Sequence, residues 1–199
     1  MKIVRKKIRI FSFLFSLAMV FASASSAPCK SDTTLDNWKE KLKIEAIEKG
    51  ISKNTLDLAI DDFKPIKRVI ELDRRQPEFT LTLDQYLKRV VPSRRIKKGR
   101  LMLAKNNKIL EKIGKKYSVQ PRFIIALWGI ETDFGRLDGG FSVVHSLATL
   151  ALDGRRSKFF RKELIRALRI LDQGHINIRD MMGSWAGAMG HFQFMPSSF

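Results

Sequence analysis

From Thr34 onward, hydrophobic residues recur every three or four positions, which is the period of amphipathic helices. The first helical segment runs to Gly50, a residue type that commonly follows a helix C-terminus. Ser52 then provides an N-cap for a second helix, which Pro65 ends. A short third helix covers residues 83–91 and stops at Pro92.

Ser93 is placed to cap a long helix, and Pro121 suits the first position of the next one after a turn. The predicted buried stripe of the long helix consists of Ile96, Leu103, Ile109, Leu110 and Ile113. Its other face is mostly Lys and Arg, which fits either a solvated surface or a polyanion-binding surface. No segment shows the alternation typical of strands, so the predicted fold class is all-α.

The N-terminus has the layout of a secretory signal peptide. Five basic residues precede an apolar stretch over residues 11–22, and a small-residue cleavage pattern lies at 22–24. The stretch is too short to span a bilayer, which takes about 20 residues. We therefore predict a signal peptide at 1–24, a flexible mature N-terminus at 25–33 and export to the periplasm; an uncleaved amphipathic anchor is the alternative.

The chain is strongly basic, with 38 Lys and Arg against 20 Asp and Glu and a formal net charge of +18. Such an excess fits nucleic acid, an anionic membrane or an anionic cell-wall polymer as partner. Export argues against nucleic acid. Cys29 is the one cysteine of the sequence, so no disulfide forms within the chain.

The most informative helix runs from Pro121 to Asp133. Residues 123–130 are apolar on all sides of that helix, so we expect it to be buried on every face. Glu131 follows directly, at the helix end where the dipole disfavours negative charge. Burial and dipole both favour the neutral carboxyl, which is the form of a general acid. A structural ion pair with Arg136 or Arg155 is the alternative.

Asp133 does not supply a second catalytic carboxylate in this pattern. Two residues along a helix turn the side chain by roughly 200°. Glu131 and Asp133 therefore cannot flank one glycosidic bond as a two-carboxylate glycosidase requires. We expect Asp133 at the helix end, with Gly135 as the left-handed terminator.

A second cluster, residues 183–190, contains three glycines and two alanines. Such a segment approaches another group closely, which can be a neighbouring helix or a ligand. Gln193 follows among aromatic and Met residues, a composition that suits either a sugar-binding face or a buried amide. The three histidines lack metal-ligand spacing, so no metal site and no cofactor are predicted.

These segments resemble the membrane-bound lytic murein transglycosylase B family. The resemblance rests on residues 126–136, on Ser146 to Leu150 with Arg155-Arg156, on 183–190 with 193–198, and on 74–79 upstream. Order and spacing agree as well, and the similar region covers residues 34–199.

The resemblance implies a lysozyme-like core at 93–199, preceded by an N-terminal helical region at 34–92. It implies cleavage of the β-1,4 bond between N-acetylmuramic acid and N-acetylglucosamine in peptidoglycan, with a 1,6-anhydro product. Glu131 would act as general acid and then as base. Ser184 and Gln193 would line the cleft and bind the sugars. Glycan strands would be the partner; peripheral membrane association and oligomeric state are left open.

Family members continue past the Pro-Ser-Ser segment, so we expect the core to be incomplete at Phe199. A truncated core would be weakly stable and nearly inactive by itself. Two alternatives follow: an inactive relative that binds peptidoglycan without cutting it, and a conventional hydrolase that leaves reducing ends.

Overall fold

The computed structural model describes residues 30–75 and 81–199, and the predicted signal peptide lies outside these ranges. The described helices are α1 Lys30–Glu48, α2 Lys53–Ile60, α3 Lys67–Arg74, α4 Leu83–Val90, α5 Ser93–Lys105, α6 Asn107–Tyr117, α7 Pro121–Thr132, α8 Val143–Asp153 and α9 Ser157–Asp172. Because α1 begins at Lys30, the end of the stretch predicted to be flexible (25–33) is helical.

Several predicted helix ends are confirmed. Gly50 has a positive φ of 82° just after α1. The Ser52 hydroxyl caps α2 by accepting a hydrogen bond from the amide of Thr55. Pro121 occupies the first turn of α7. Local capping chemistry therefore sets these boundaries.

The single long helix predicted from Ser93 is wrong, because two helices, α5 and α6, meet at Asn106. The side-chain amide of Asn106 donates to the carbonyl of Met102 at 2.9 Å, a bond that competes with continued helix. The predicted stripe is wrong too: Leu110 is buried, but Ile96 is 44% and Ile109 53% exposed. Pro92, and not Ser93, is the N-cap residue.

The main hydrophobic core joins α1, α2 and α3 to α8 and α9. Phe63 lies near its centre, with its ring centroid 5.8 Å from that of Trp38 and 5.5 Å from that of His145. Among the described residues, this core takes none of its members from α4 to α7. The proposed boundary at residue 92 stays a prediction.

Helices α5 and α6 pack against one side of α7. They cover Ile125 and Gly129, whereas Phe123 is 54%, Leu127 50% and Ile130 44% exposed. The expectation that α7 is buried on every face is therefore wrong. An apolar sequence made α7 look fully buried, but its neighbours in the described chain pack on one side.

Two strands of two residues each are found in the described ranges, β1 Phe141–Ser142 and β2 Met182–Gly183. They pair antiparallel, with Phe141 opposite Gly183 and Ser142 opposite Met182. This small ladder ties the start of α8 to the glycine-rich segment. The all-α class is confirmed. Within residues 30–75 and 81–199, no helix is long and apolar enough to cross a bilayer.

Candidate active site

Glu131 lies in the last turn of α7, and its side chain is exposed. The expectation that Glu131 is buried is therefore wrong, because it lies on the open side of α7. Its carboxyl group is accessible to a molecule in solution.

The side chain of Glu131 has no hydrogen bond or ion pair with another residue of the described chain. The two arginines considered as its partners are engaged elsewhere. Arg136 donates from Nε to Asp133 Oδ2 at 2.6 Å, and Arg155 donates from Nη1 to the carbonyl of Asp73 at 3.0 Å. The alternative of a structural ion pair with Arg136 or Arg155 is therefore wrong.

The end of α7 is joined to the loop that follows the glycine-rich segment. Thr132 Oγ1 donates to the carbonyl of His191 at 2.8 Å and accepts from the amide of Gly135 at 3.0 Å. The His191 ring stacks on Trp128, with centroids 5.7 Å apart and planes 14° apart. These contacts hold the two motifs of the sequence against each other.

The chain leaves α7 through three consecutive left-handed residues, Asp133, Phe134 and Gly135, with φ of 50°, 63° and 77°. Asp133 is at the helix end, as predicted, but it is itself the left-handed C-cap, two residues before the expected terminator Gly135. The hydrogen bond from Arg136 holds the pKa of the Asp133 carboxyl below its ordinary value, against the opposing effect of burial.

Ser184 follows β2 in a tight loop. Its hydroxyl oxygen accepts from the amide of Ala188 at 3.1 Å, and its own amide donates to the carbonyl of Ala188 at 2.8 Å. The side chain is half-buried. Its hydroxyl hydrogen is not used by any described residue.

Gln193 has a positive φ of 48° and lies in the turn after Gly190. Its side-chain Nε2 donates to the carbonyls of Gly190 at 2.9 Å and Asp138 at 3.3 Å. The side chain is half-buried, and its NH2 group is hydrogen-bonded within the protein. The alternative of a satisfied amide in the core therefore stands beside that of a sugar-binding side chain. Met189 pairs with both Gly183 and Phe194, which places the loops carrying Ser184 and Gln193 side by side.

The glycines of residues 183–190 differ in how much space surrounds them. A Cβ at Gly183 would lie 2.2 Å from the Ala188 carbonyl oxygen, and one at Gly187 would lie 2.3 Å from Leu147 Cδ2. Close packing within the protein therefore explains these two. At Gly190 a Cβ would meet nothing within 4 Å.

Sequence reasoning missed the roles of Thr132 and His191 at this site. A hydroxyl one residue after Glu131 and an aromatic-type ring just after the glycine-rich segment were the available signals. The described residues include no group of three or more His, Cys, Asp or Glu side chains placed to hold a metal ion.

This helical architecture is that of the lysozyme-like lytic transglycosylases, as comparison with solved structures shows. SltB3 of Pseudomonas aeruginosa, solved with NAG-NAM-pentapeptide, superposes with a TM-score of 0.79 at 38% identity, covering 82% of this chain and 44% of that one. The Escherichia coli lytic transglycosylase Slt35 in complex with bulgecin A gives a TM-score of 0.72 at 28% identity, covering 80% and 52%.

The family model described as Transglycosylase SLT domain matches residues 34–199, and the chain belongs to this family. It is 32% identical over 116 residues to membrane-bound lytic murein transglycosylase B of Escherichia coli strain K12. That match covers 58% of this chain and 32% of the relative. The chain thus spans between a third and about half of the length of these relatives.

Proposed function

We propose that this protein is a lytic transglycosylase that cleaves the β-1,4 bond between N-acetylmuramic acid and N-acetylglucosamine in peptidoglycan. The observation that carries the proposal is Glu131, an exposed carboxyl group with no ion-pair partner in the described chain, at the end of the helix that bears the family motif. A carboxyl group left open in this way is free to exchange protons with a bound glycan.

In the proposed reaction, Glu131 first donates its proton to the leaving O4 oxygen of N-acetylglucosamine as the bond to muramic acid C1 breaks. The carboxylate then takes the proton of the C6 hydroxyl as that oxygen attacks C1. The product is a 1,6-anhydro ring, and Glu131 is protonated again. Intramolecular attack replaces water, so one carboxyl group serves both steps.

Asp133 supports a mechanism with a single carboxyl group. It is 4% exposed and hydrogen-bonded to Arg136, so its carboxylate is turned into the protein. A retaining glycosidase needs a second carboxylate about 5 Å from the first, facing the same bond. Asp133 is not available for that role.

Ser184 and Gln193 are proposed to bind the sugars. Gln193 uses its Nε2 on backbone carbonyls, which leaves its side-chain oxygen to accept from a hydroxyl or acetamido N–H. Ser184 accepts from Ala188, which leaves its hydroxyl hydrogen to donate. Each side chain is thus fixed in place and keeps one polar function for a ligand.

The basic surface suits a polymer that carries peptide carboxylates. Lys108, Lys112, Lys115 and Lys116 follow each other at helical spacing on α6 and are exposed. Lys115 and Lys116 lie in the last turn, where the helix dipole favours cations, and the four charges together attract an anionic partner. The Pseudomonas relative was solved with a glycan bearing a pentapeptide. We propose that the activity lies outside the cytoplasm, where such a glycan is found, in agreement with the predicted export.

The test compares the parent with Glu131→Gln and with the control Glu48→Gln, an exposed glutamate on α1. We expect Glu131→Gln to lower murein cleavage at least about 100-fold with unchanged helical content, because the amide cannot cycle a proton. The control should keep full activity, and the products should carry anhydro ends. Activity of Glu131→Gln within a few-fold of the parent would overturn the assignment.

Product chemistry and binding distinguish the alternatives. Reducing ends in the products would replace the transglycosylase by a conventional hydrolase. A parent that pellets with murein sacculi but releases no fragments would be a binding relative and not an enzyme.

A further inference from the structure

The turn that follows Glu131 is built from an unusual backbone. Asp133, Phe134 and Gly135 all have positive φ, and two of them are not glycine. Non-glycine residues rarely adopt this conformation, and it persists where surrounding contacts hold it. The direction in which α7 ends, and with it the orientation of Glu131, therefore depends on those contacts.

The first set of contacts is electrostatic and centres on the Asp133 carboxylate. Arg136 Nε lies 2.6 Å from Oδ2, Arg95 Nε 3.8 Å from Oδ1 and Lys98 Nζ 4.0 Å from Oδ2. Lys98 Nζ also donates to the Asp133 carbonyl at 2.8 Å. Asp133 is thus held by two cations from α5 and one from the following loop, in a site where its carboxylate is nearly inaccessible to water.

The second set is apolar and centres on Phe134. A Cβ at Gly129 would lie 2.7 Å from Phe134 Cζ, and one at Gly99 would lie 3.4 Å from the same atom. The ring therefore fits against glycines of both α5 and α7. Charge thus holds Asp133 and packing on the helices holds Phe134, so both non-glycine residues of the turn have contacts that favour their conformation.

We propose that Asp133 is a positioning residue for Glu131: its carboxylate, held by Arg95, Lys98 and Arg136, fixes the left-handed turn that ends α7 and so fixes the catalytic side chain. The proposal rests on the proposed catalytic role of Glu131. Asp133 does not touch the sugar itself. It acts through the backbone of the turn, which begins two residues after Glu131.

The test uses Asp133→Asn on a soluble murein glycan fragment. Asn tolerates left-handed φ and matches Asp in shape, so the variant removes the charge and keeps the backbone preference. We expect kcat to fall about 10- to 100-fold with KM within about two-fold, since ground-state binding is untouched.

The matched control is Asp172→Asn. Asp172 also has a pKa held below its ordinary value by hydrogen bonds, but it joins α9 to α2 and contacts no part of the α7 turn. The control should lose stability without a change in kcat or KM. If Asp133→Asn behaves like this control while Glu131→Gln is inactive, the inference fails and the proposed function stands.

A second variant keeps the proposal testable if Asp133→Asn does not fold. Arg136→Gln removes the closest cation and leaves Asp133 with Arg95 and Lys98. Its kcat should fall by a smaller factor, about 3- to 10-fold, again with little change in KM. Parent-like kcat in this variant would overturn the inference. An active Glu131→Gln variant would overturn both this inference and the proposed function on which it rests.

Discussion

The buried carboxylate of Glu163 accepts a hydrogen bond of 2.9 Å from the backbone amide of Ser197. Glu163 lies on α9 and is 1% exposed, and its other oxygen accepts from Arg166 Nη1 at 2.7 Å. Ser197 belongs to a short 3₁₀ turn, Pro196–Ser198, just after the loop of Gln193. This contact attaches the segment after the glycine-rich cluster to the main core.

Two substitutions of Glu163 should show how much each of its two hydrogen bonds contributes to stability. Glu163→Ala leaves the Ser197 amide and Arg166 without their acceptor and opens a cavity, so we expect a loss of about 3–5 kcal/mol in the free energy of unfolding. Glu163→Gln keeps an acceptor for Ser197 and should cost about half as much. Urea unfolding followed by circular dichroism measures both. Equal losses in the two variants would contradict this assignment.

Substitution of Gly187 tests the close packing of the glycine-rich segment on α8. An added Cβ would lie 2.3 Å from Leu147 Cδ2, and the residue has a φ of 86°. We expect Gly187→Ala to lower the free energy of unfolding by about 3 kcal/mol, from overpacking and backbone strain together.

The control for this variant is Gly190→Ala, which has a φ of 70° but open space around the added Cβ. It should cost about 1 kcal/mol, from backbone strain alone. Thermal unfolding of both variants gives the difference. If both lose the same stability, the contact with Leu147 is not what requires glycine at 187.

Acid stability should depend on Asp172. Hydrogen bonds from the hydroxyls of Ser52 and Thr55 and from the Ser52 amide hold the pKa of this carboxyl below its ordinary value of 3.8. A carboxyl group whose pKa is lower in the folded state stabilises the fold above its unfolded pKa, and this contribution is lost as the pH falls through the folded pKa.

Asp172→Asn should therefore be less stable than the parent by about 1 kcal/mol at pH 7. The difference should stay constant down to about pH 5 and shrink toward zero near pH 2. Urea unfolding at several pH values measures it. A difference that grows toward acid pH would have the wrong sign for this mechanism.

Charge on α6 should control binding to murein. In the Glu131→Gln background, which does not cut, replacement of Lys108, Lys112, Lys115 and Lys116 by Gln should weaken pelleting with sacculi about ten-fold at low salt. The difference should vanish near 0.5 M salt, where a Debye length of roughly 4 Å screens exposed charges.

The control for the α6 variant removes the same number of charges elsewhere. Lys41, Lys64, Lys67 and Lys162 are exposed and scattered over α1, α3, α9 and the α2–α3 loop. Their replacement by Gln should change binding little. Equal weakening by both sets would mean that net charge, and not the α6 surface, attracts the polymer.

The sequence was most informative where structure is decided locally. Ser52 caps α2 and Pro121 starts α7, as predicted, because the interactions that set these ends lie within a few residues. Asn106 was missed, since its amide competes with the helix through a bond to Met102 that no hydrophobic pattern reveals.

The packing between helices and the partners of the charged side chains could be predicted less well from the sequence. The apolar run 123–130 predicted full burial, but which faces of α7 are covered depends on where α5 and α6 pack. The sequence offered Arg136 and Arg155 as alternative partners for Glu131. The structure gives them to Asp133 and Asp73, because buried carboxylates gain more from a cation than an exposed one does.

The bond between Ser52 and Asp172 joins residues 120 positions apart, so closing it costs the entropy of a long loop. Helices α1 to α3 complete their apolar packing against α8 and α9, so a long loop must close before that core is whole. Helices α5, α6 and α7 are near neighbours in sequence and in space. During synthesis, the turn after Glu131 can therefore make its contacts with α5 before α8 and α9 complete the larger core.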